Sequence, residues 1–239
     1  MKKIIYCLLI GFFAFSSACA PTVRVWEMYK VDPQHTGSKA TSPIKTFDPL
    51  KAKINIFKTK GPVVCSPAIV NDVAYFGSVD KTFYSIDINT AKEKWKFTTG
   101  NAIFSSPLFY QGTIYFASGN ILYALDSKTG SNKWSFRESR GTIYSSPVLA
   151  KDVLYFGSSD NTLYAISAIT GKLLWKYAMK GNKTLSTPAY SDELIYFGSE
   201  DKNLYAIDRL TGKEKWKFST GGPVSTPAIS NGIVYFGSD

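Results

Sequence analysis

The stretch AIDRLTGKEKW, residues 206–216, has three earlier counterparts: AISAITGKLLW (165–175), ALDSKTGSNKW (124–134) and SIDINTAKEKW (85–95). The same landmarks recur around each copy. YFGS or a variant begins at Tyr75, Tyr115, Tyr155, Tyr196 and Tyr235, with spacings of 40, 40, 41 and 39. The prolines of Ser-Pro or Thr-Pro pairs, Pro67, Pro107, Pro147, Pro188 and Pro227, keep those same spacings. Trp95, Trp134, Trp175 and Trp216 follow at 39, 41 and 41. Three landmarks on one period make this a repeat protein.

Each period reads as strand. In the last complete copy, LSTPAYS is followed by LIYFGS, NLYAID and KEKWKF. These short runs are rich in Tyr, Phe, Ile and Val and bounded by Gly, Asp, Asn or Ser, the signature of strands between tight turns. No window carries an amphipathic helix of useful length. Four strands per period predict an antiparallel meander of about 40 residues. In IVYFGS (233–238), Ile233 and Tyr235 on one side and Val234 and Phe236 on the other are apolar, which predicts cover on both faces. Meanders covered on both faces by their neighbours form a β-propeller. The repeat lacks the Gly-His and Trp-Asp pairs of WD40 blades and the paired glycines of kelch.

Within the opening motif, Thr211-Gly212-Lys213 forms the tip of a hairpin between third and fourth strands. A left-handed, bulged turn asks for glycine there, and Gly130 and Gly171 repeat it. Ala91 breaks the rule at an expected local cost of about 1 kcal/mol or less. Asp87, Asp126 and Asp208 are placed to cap the turn amides, and Ser167 to do so more weakly. Ala206 is small enough for a flat indole to lie over backbone. Trp216, like Trp95, Trp134 and Trp175, then supplies large buried area where blades meet.

The pattern Ala-x-Asp-x-x-Thr-Gly-Lys-x-x-Trp resembles the tryptophan-docking motif of the pyrroloquinoline-quinone-type repeat. The head WEMYKVDPQHTGSK (26–39) is similar to the start of many exported propellers of that superfamily, so the resemblance covers residues 26–239. The superfamily includes quinoprotein dehydrogenases and the propeller lipoprotein of the outer-membrane β-barrel assembly machinery, both usually eight-bladed. The dehydrogenases hold their quinone with adjacent cysteines, a stacking tryptophan and a calcium site of carboxylates and an amide, with a catalytic aspartate as base. None of that set maps onto this sequence, so no cofactor, metal or catalytic residue is expected.

The N-terminus carries a basic head, Lys2 and Lys3, an apolar run from Ile4 to Phe15, and then SSACAP. This reads as an export signal, too short for a membrane span. SSAC, ending at Cys19, resembles a bacterial lipoprotein processing site, although Ser16 stands where an aliphatic residue is preferred. The alternative, cleavage after Ala20, places Pro21 first, which ordinary signal peptidases disfavour. A lipidated Cys19 holds the domain at a membrane face without spanning it. The expected organisation is a signal peptide at 1–18, a tether and head segment at 19–51, and the propeller at 52–239.

Of three cysteines, Cys7 leaves with the signal and Cys19 carries lipid, which leaves Cys65. Its counterparts are Ser105, Ser145, Ser186 and Ser225, so Cys65 is expected to act as a small buried residue. The single histidine, His35, has no Cys or His partner for a metal site. The formal charge of +10 falls by two when Lys2 and Lys3 leave. Lys94, Lys96, Lys133, Lys176, Lys215 and Lys217 flank the tryptophans, as expected of lysines that guard exposed strands, with anionic lipid or an acidic partner as the alternative. No nucleic-acid-binding motif is present.

The expected function is a non-catalytic, exported, lipid-anchored scaffold whose partners are envelope proteins, in the style of the assembly-machinery lipoprotein. The alternative is a fragment of a quinoprotein-like ligand-binding or dehydrogenase propeller. The fifth repeat ends at Asp239 after its second strand. AKINIFKTKG (52–61) aligns with a fourth strand, with Phe57 placed where tryptophan would stand. The expectation is a piece of a longer propeller, against a five-bladed ring that closes imperfectly.

Overall fold

Short apolar runs separated by Asn, Asp and Gly fold into hairpins stacked side by side. The computed structural model describes residues 55–179 and 186–238; the expected signal, the tether with Cys19 and His35, and Asp239 lie outside them. In the first blade β1 (Ala68–Val70), β2 (Val73–Gly77), β3 (Thr82–Asp87) and β4 (Lys92–Thr98) pair in sequence order, all antiparallel. The second holds β5 (Leu108–Tyr110), β6 (Thr113–Ser118), β7 (Ile121–Asp126) and β8 (Asn132–Phe136). The third holds β9 (Val148–Ala150), β10 (Val153–Ser158), β11 (Thr162–Ser167) and β12 (Leu173–Ala178). The fourth holds β13 (Ala189–Tyr190), β14 (Leu194–Gly198), β15 (Asn203–Asp208) and β16 (Glu214–Ser219). The pair β17 (Ala228–Ser230) and β18 (Ile233–Tyr235) begins a fifth. The chain is an all-β propeller of four-stranded antiparallel blades.

Local turn chemistry sets this register. The first turn of three blades and of the partial fifth has two residues with positive φ, Asn71-Asp72, Gln111-Gly112, Lys151-Asp152 and Asn231-Gly232. That is the type I′ geometry whose twist matches the flanking strands. In each complete blade the third and fourth strands slip by one residue opposite the motif, as between Ala206 and Ile207. This bulge aims the tryptophan.

The core lies between sheets rather than inside any one of them. Tyr115, Leu122 and Phe136 of the second blade pack on Leu154, Phe156 and Tyr164 of the third. Phe83 of the first blade stacks on Phe116 of the second with ring centroids 3.9 Å apart. The central strands are accordingly buried along almost their whole length, β2 and β6 at every residue. Each such side chain contributes about 1.5–3 kcal/mol through burial. The exception is the partial fifth blade, whose IVYFGS stretch is apolar on both sides. Ile233 and Tyr235 of β18 are each 54% exposed, because among the described residues no sheet packs on that side.

At the inner edge a chain of hydrogen bonds joins successive first strands. The amides of Ser66, Ser106, Ser146 and Thr187 donate to the hydroxyls of Ser106, Ser146, Thr187 and Thr226. The residue before each landmark proline therefore ties one blade to the next. One residue earlier, the hydroxyls of Ser105, Ser145 and Ser186 each bond both the N–H and the C=O of the facing second-strand residue. Cys65 Sγ does the same with Gly77 at 3.4 Å, and burial pushes its thiol pKa up.

The expected place of Phe57 is corrected. Residues 55–59 form no strand, and Phe57 packs edge-on against Phe76 and Tyr84. Phe97 on Tyr123, Phe136 on Tyr164 and Tyr177 on Tyr205 make the equivalent contacts, two residues beyond each tryptophan. The residue at the tryptophan position is Asn55.

Candidate functional site

Each interior tryptophan docks on the next blade, not on its own hairpin. Trp95 Nε1 donates to the Ser127 carbonyl at 3.0 Å, Trp134 Nε1 to Ala168 at 3.2 Å and Trp175 Nε1 to Arg209 at 3.1 Å. The second-strand tyrosines reach the same three carbonyls: Tyr75 Oη at 3.1 Å, Tyr115 Oη at 3.0 Å and Tyr155 Oη at 3.2 Å. Each interface thus has two donors on one acceptor, which holds the neighbouring hairpin in place.

The indole lies flat over the hairpin glycine. A Cβ added to Gly130, Gly171 or Gly212 would sit 2.7 Å from ring carbons of Trp95, Trp134 or Trp175. The small alanines Ala124, Ala165 and Ala206, opposite the tryptophans in the ladder, are fully buried. Trp216 differs from the other three. It is 41% exposed, rests on Tyr196 of its own blade, and meets no such glycine among the described residues.

The hairpin carboxylates cap their own turns. Asp208 Oδ1 accepts the Leu210 and Thr211 amides and the Thr211 hydroxyl, and these bonds hold its pKa down at about 2. Asp87 and Asp126 are lowered by the same turn. Ser167 receives one bond, from the Thr170 amide at 3.2 Å. The lysines beside the tryptophans are exposed, and Lys133 and Lys215 reach back to Asp126 and Asp208 across 3.5 and 3.3 Å.

A second set of carboxylates sits in the turns between second and third strands. Asp80, Asp160 and Asp201 accept from Tyr84, Tyr164 and Tyr205, four residues on in each case. Burial, then the carboxylate, pushes Tyr84 and Tyr164 up to about 12. Burial pushes Asp160 up as well, but bonds from Tyr164 and the Arg140 amide outweigh it and hold the carboxyl low. A shifted tyrosine–carboxylate pair resembles acid–base machinery in isolation. Repeated in three blades with the same partners, it is a turn lock. Among the described residues no three His, Cys, Asp or Glu side chains gather as a metal site.

What remains uncommitted is apolar surface. Val64, Phe104 and Tyr144, one residue before each Cys65 or Ser105-type position, are 56, 44 and 45% exposed. The Phe104 and Tyr144 rings lie 6.0 Å apart. They form a strip across three blades at the end that carries the β2–β3, β6–β7 and β10–β11 turns.

Sequence reasoning missed the shared carbonyl, the Ser/Thr bridges and Asn55. The last was readable: Thr59 bonds the Gly61 carbonyl as Thr220 bonds Gly222. Counting back four residues from each threonine gives Asn55 and Trp216.

The sequence profile of the family described as outer membrane protein assembly factor BamB matches residues 23–238. Among solved structures, BamB from Moraxella catarrhalis aligns with a TM-score of 0.68 at 18% identity, over 76% of this chain and 60% of that one. The computationally designed protein Ika8 aligns at 0.65 and 17% identity, over 72% of this chain and 54% of its own. At such identities the likeness is one of fold, and this chain spans only part of either structure. Curated protein sequences give no match.

Proposed function

The chain belongs to the family of outer membrane protein assembly factor BamB, and from that premise we propose that it is a non-catalytic envelope scaffold. It is exported by residues 1–18, held at a membrane face through a lipid on Cys19, and docks envelope proteins during outer-membrane protein assembly. The family match carries this reading, since it extends from residue 23 through the head segment and every blade. The repeated carboxylates and tyrosines support it, because each is spent on a turn or an interface. The exposed Phe104–Tyr144 strip offers the aromatic anchor surface typical of protein docking.

The test is co-isolation of the tagged chain from detergent-solubilised envelope. The reading expects barrel-assembly components to be recovered, and recovery to fall several-fold when Phe104 and Tyr144 are both changed to Ser. Absence of any specific outer-membrane partner contradicts it. Quinone-dependent dehydrogenase turnover after reconstitution would overturn the non-catalytic part.

A further inference from the structure

The hairpins between third and fourth strands share one geometry, but their tips differ in chemistry. Asn89, Lys128, Ile169 and Leu210 occupy the same position, two residues after the capping Asp or Ser. Asn89 and Lys128 are polar, as exposed turns usually are. Ile169 and Leu210 are aliphatic and 67 and 76% exposed. Leu174, on the outer strand that leaves the first of these two tips, is 53% exposed as well. Scattered single apolar side chains are commonplace on a surface, whereas equivalent tips of two adjacent blades make a patch. The third blade lies between two others and still leaves Ile169 open, so a neighbouring sheet does not reach this position.

Cations surround the patch. Lys172 and Lys213 directly follow the two tip glycines, and Lys176 and Lys217 lie four residues further along each outer strand. All four are exposed, and none makes an ion pair among the described residues. The nearby carboxylates are committed: Asp208 to its turn and Lys215, Glu214 to the Tyr177 hydroxyl. The other acids at this end of the two blades, Asp152, Asp192 and Glu193, sit in the turns between first and second strands, nearer the inner edge.

We propose that these tips form a lipid-contacting patch, in which Ile169 and Leu210 enter the interface of an anionic bilayer and Lys172, Lys176, Lys213 and Lys217 meet its phosphates. Aliphatic side chains ringed by lysine suit that interface. Protein-docking surfaces favour aromatic side chains and arginine and are depleted in lysine. The placement fits a plane, since a flat surface meets a ring of blades along one or two neighbours, and the aliphatic tips belong to two neighbours. Antiparallel pairing sets these tips at the opposite end of each blade from the Phe104–Tyr144 strip, so both surfaces can be engaged at once. The contact rests on this surface, and neither on a lipid at Cys19 nor on the assembly role.

The experiment uses the full chain carrying Cys7→Ser, Cys19→Ser and Cys65→Ser, free of native thiols and of acylation. One cysteine is then introduced by Leu210→Cys, by Ile169→Cys or, as reference, by Lys128→Cys, and labelled with an environment-sensitive fluorophore. The probe is a vesicle of phosphatidylethanolamine and phosphatidylglycerol that carries a nitroxide on the upper acyl chain. The labels at 210 and 169 should shift to the blue and be quenched, while the label at 128 stays in water. Comparing positions within one chain cancels any attachment through the apolar run from Ile4 to Phe15. Lys172→Glu with Lys213→Glu should reduce quenching at 210 several-fold, as should vesicles of phosphatidylcholine alone. Quenching at 210 and 169 no greater than at 128, or equal quenching on phosphatidylcholine, overturns the proposal. So does a shift of the tip labels by polyglutamate where vesicles produce none, which would assign the patch to an acidic polypeptide.

Discussion

Asn55 Nδ2 donates to the Ile88 carbonyl at 2.9 Å, in the place where Trp95, Trp134 and Trp175 donate to Ser127, Ala168 and Arg209. The hairpin that receives Asn55 is also the one with alanine in place of glycine. Ala91 holds φ at 54°, beside 73, 70 and 69° for Gly130, Gly171 and Gly212. Lys81, Asn161 and Lys202 hold 69, 64 and 68° elsewhere. Left-handed backbone is thus within reach of other residues in this fold. What glycine uniquely supplies is room for the neighbour's indole, and where the neighbour is asparagine the alanine stays.

Gly212→Ala should therefore destabilise by more than its backbone strain of about 1–2 kcal/mol. Overpacking against Trp175 adds about 1–3 kcal/mol. In a Trp175→Ala background only the strain should remain. Urea denaturation of the four proteins checks this through the shift in midpoint at constant slope.

The tryptophans should also differ among themselves. Trp134→Ala removes a docked indole and should cost about 3–5 kcal/mol. Trp216→Ala removes a ring that is 41% exposed and should cost about 1 kcal/mol or less in the isolated chain. Equal losses would mean that Trp216 is covered in solution.

The hairpin carboxylates predict a pH dependence. The Asp208 carboxyl is lowered to about 2, so its stabilisation is complete above the ordinary carboxylate value of about 4. It is lost as pH falls toward 2. The amide resonance of Thr211 should titrate with a midpoint near 2, whereas Thr170, bonded to a hydroxyl, should not move with it. A Thr211 midpoint at the ordinary value would contradict the capping geometry.

Cys65 should be exchangeable for serine and not for alanine. Serine reproduces the two bonds that Ser105, Ser145 and Ser186 make, and should change stability by less than about 1 kcal/mol. Alanine strands the Gly77 amide and should cost about 1–3 kcal/mol. Thermal unfolding of both variants checks the pair. Slow labelling of native Cys65 by a thiol reagent follows from its burial.

Period, strand count and the caps at Asp87, Asp126 and Asp208 were legible in the sequence, because they obey local rules that each copy repeats. The partner of each tryptophan was not. AIDRLTGKEKW contains both a dock and a tryptophan, which invites a reading of the two as one unit. Only the stacking of blades shows that the dock belongs to the preceding copy's Trp175 and that Trp216 lies over none of the described hairpins. The same separation hid Asn55, since an asparagine has no apolar signal to align with a tryptophan. Phe57, aromatic and two residues away, drew the alignment instead.

Hairpin glycine and neighbouring tryptophan act as one inter-blade device, and the decisive measurement is a double-mutant cycle at Asn55 and Ala91. Asn55→Trp alone should destabilise, because the indole meets the Ala91 Cβ. Ala91→Gly alone should change stability by about 1 kcal/mol or less. Together they should recreate the interior dock, with a favourable coupling of about 1–3 kcal/mol in chemical denaturation. Additive effects, with no coupling beyond about 0.5 kcal/mol, would contradict it.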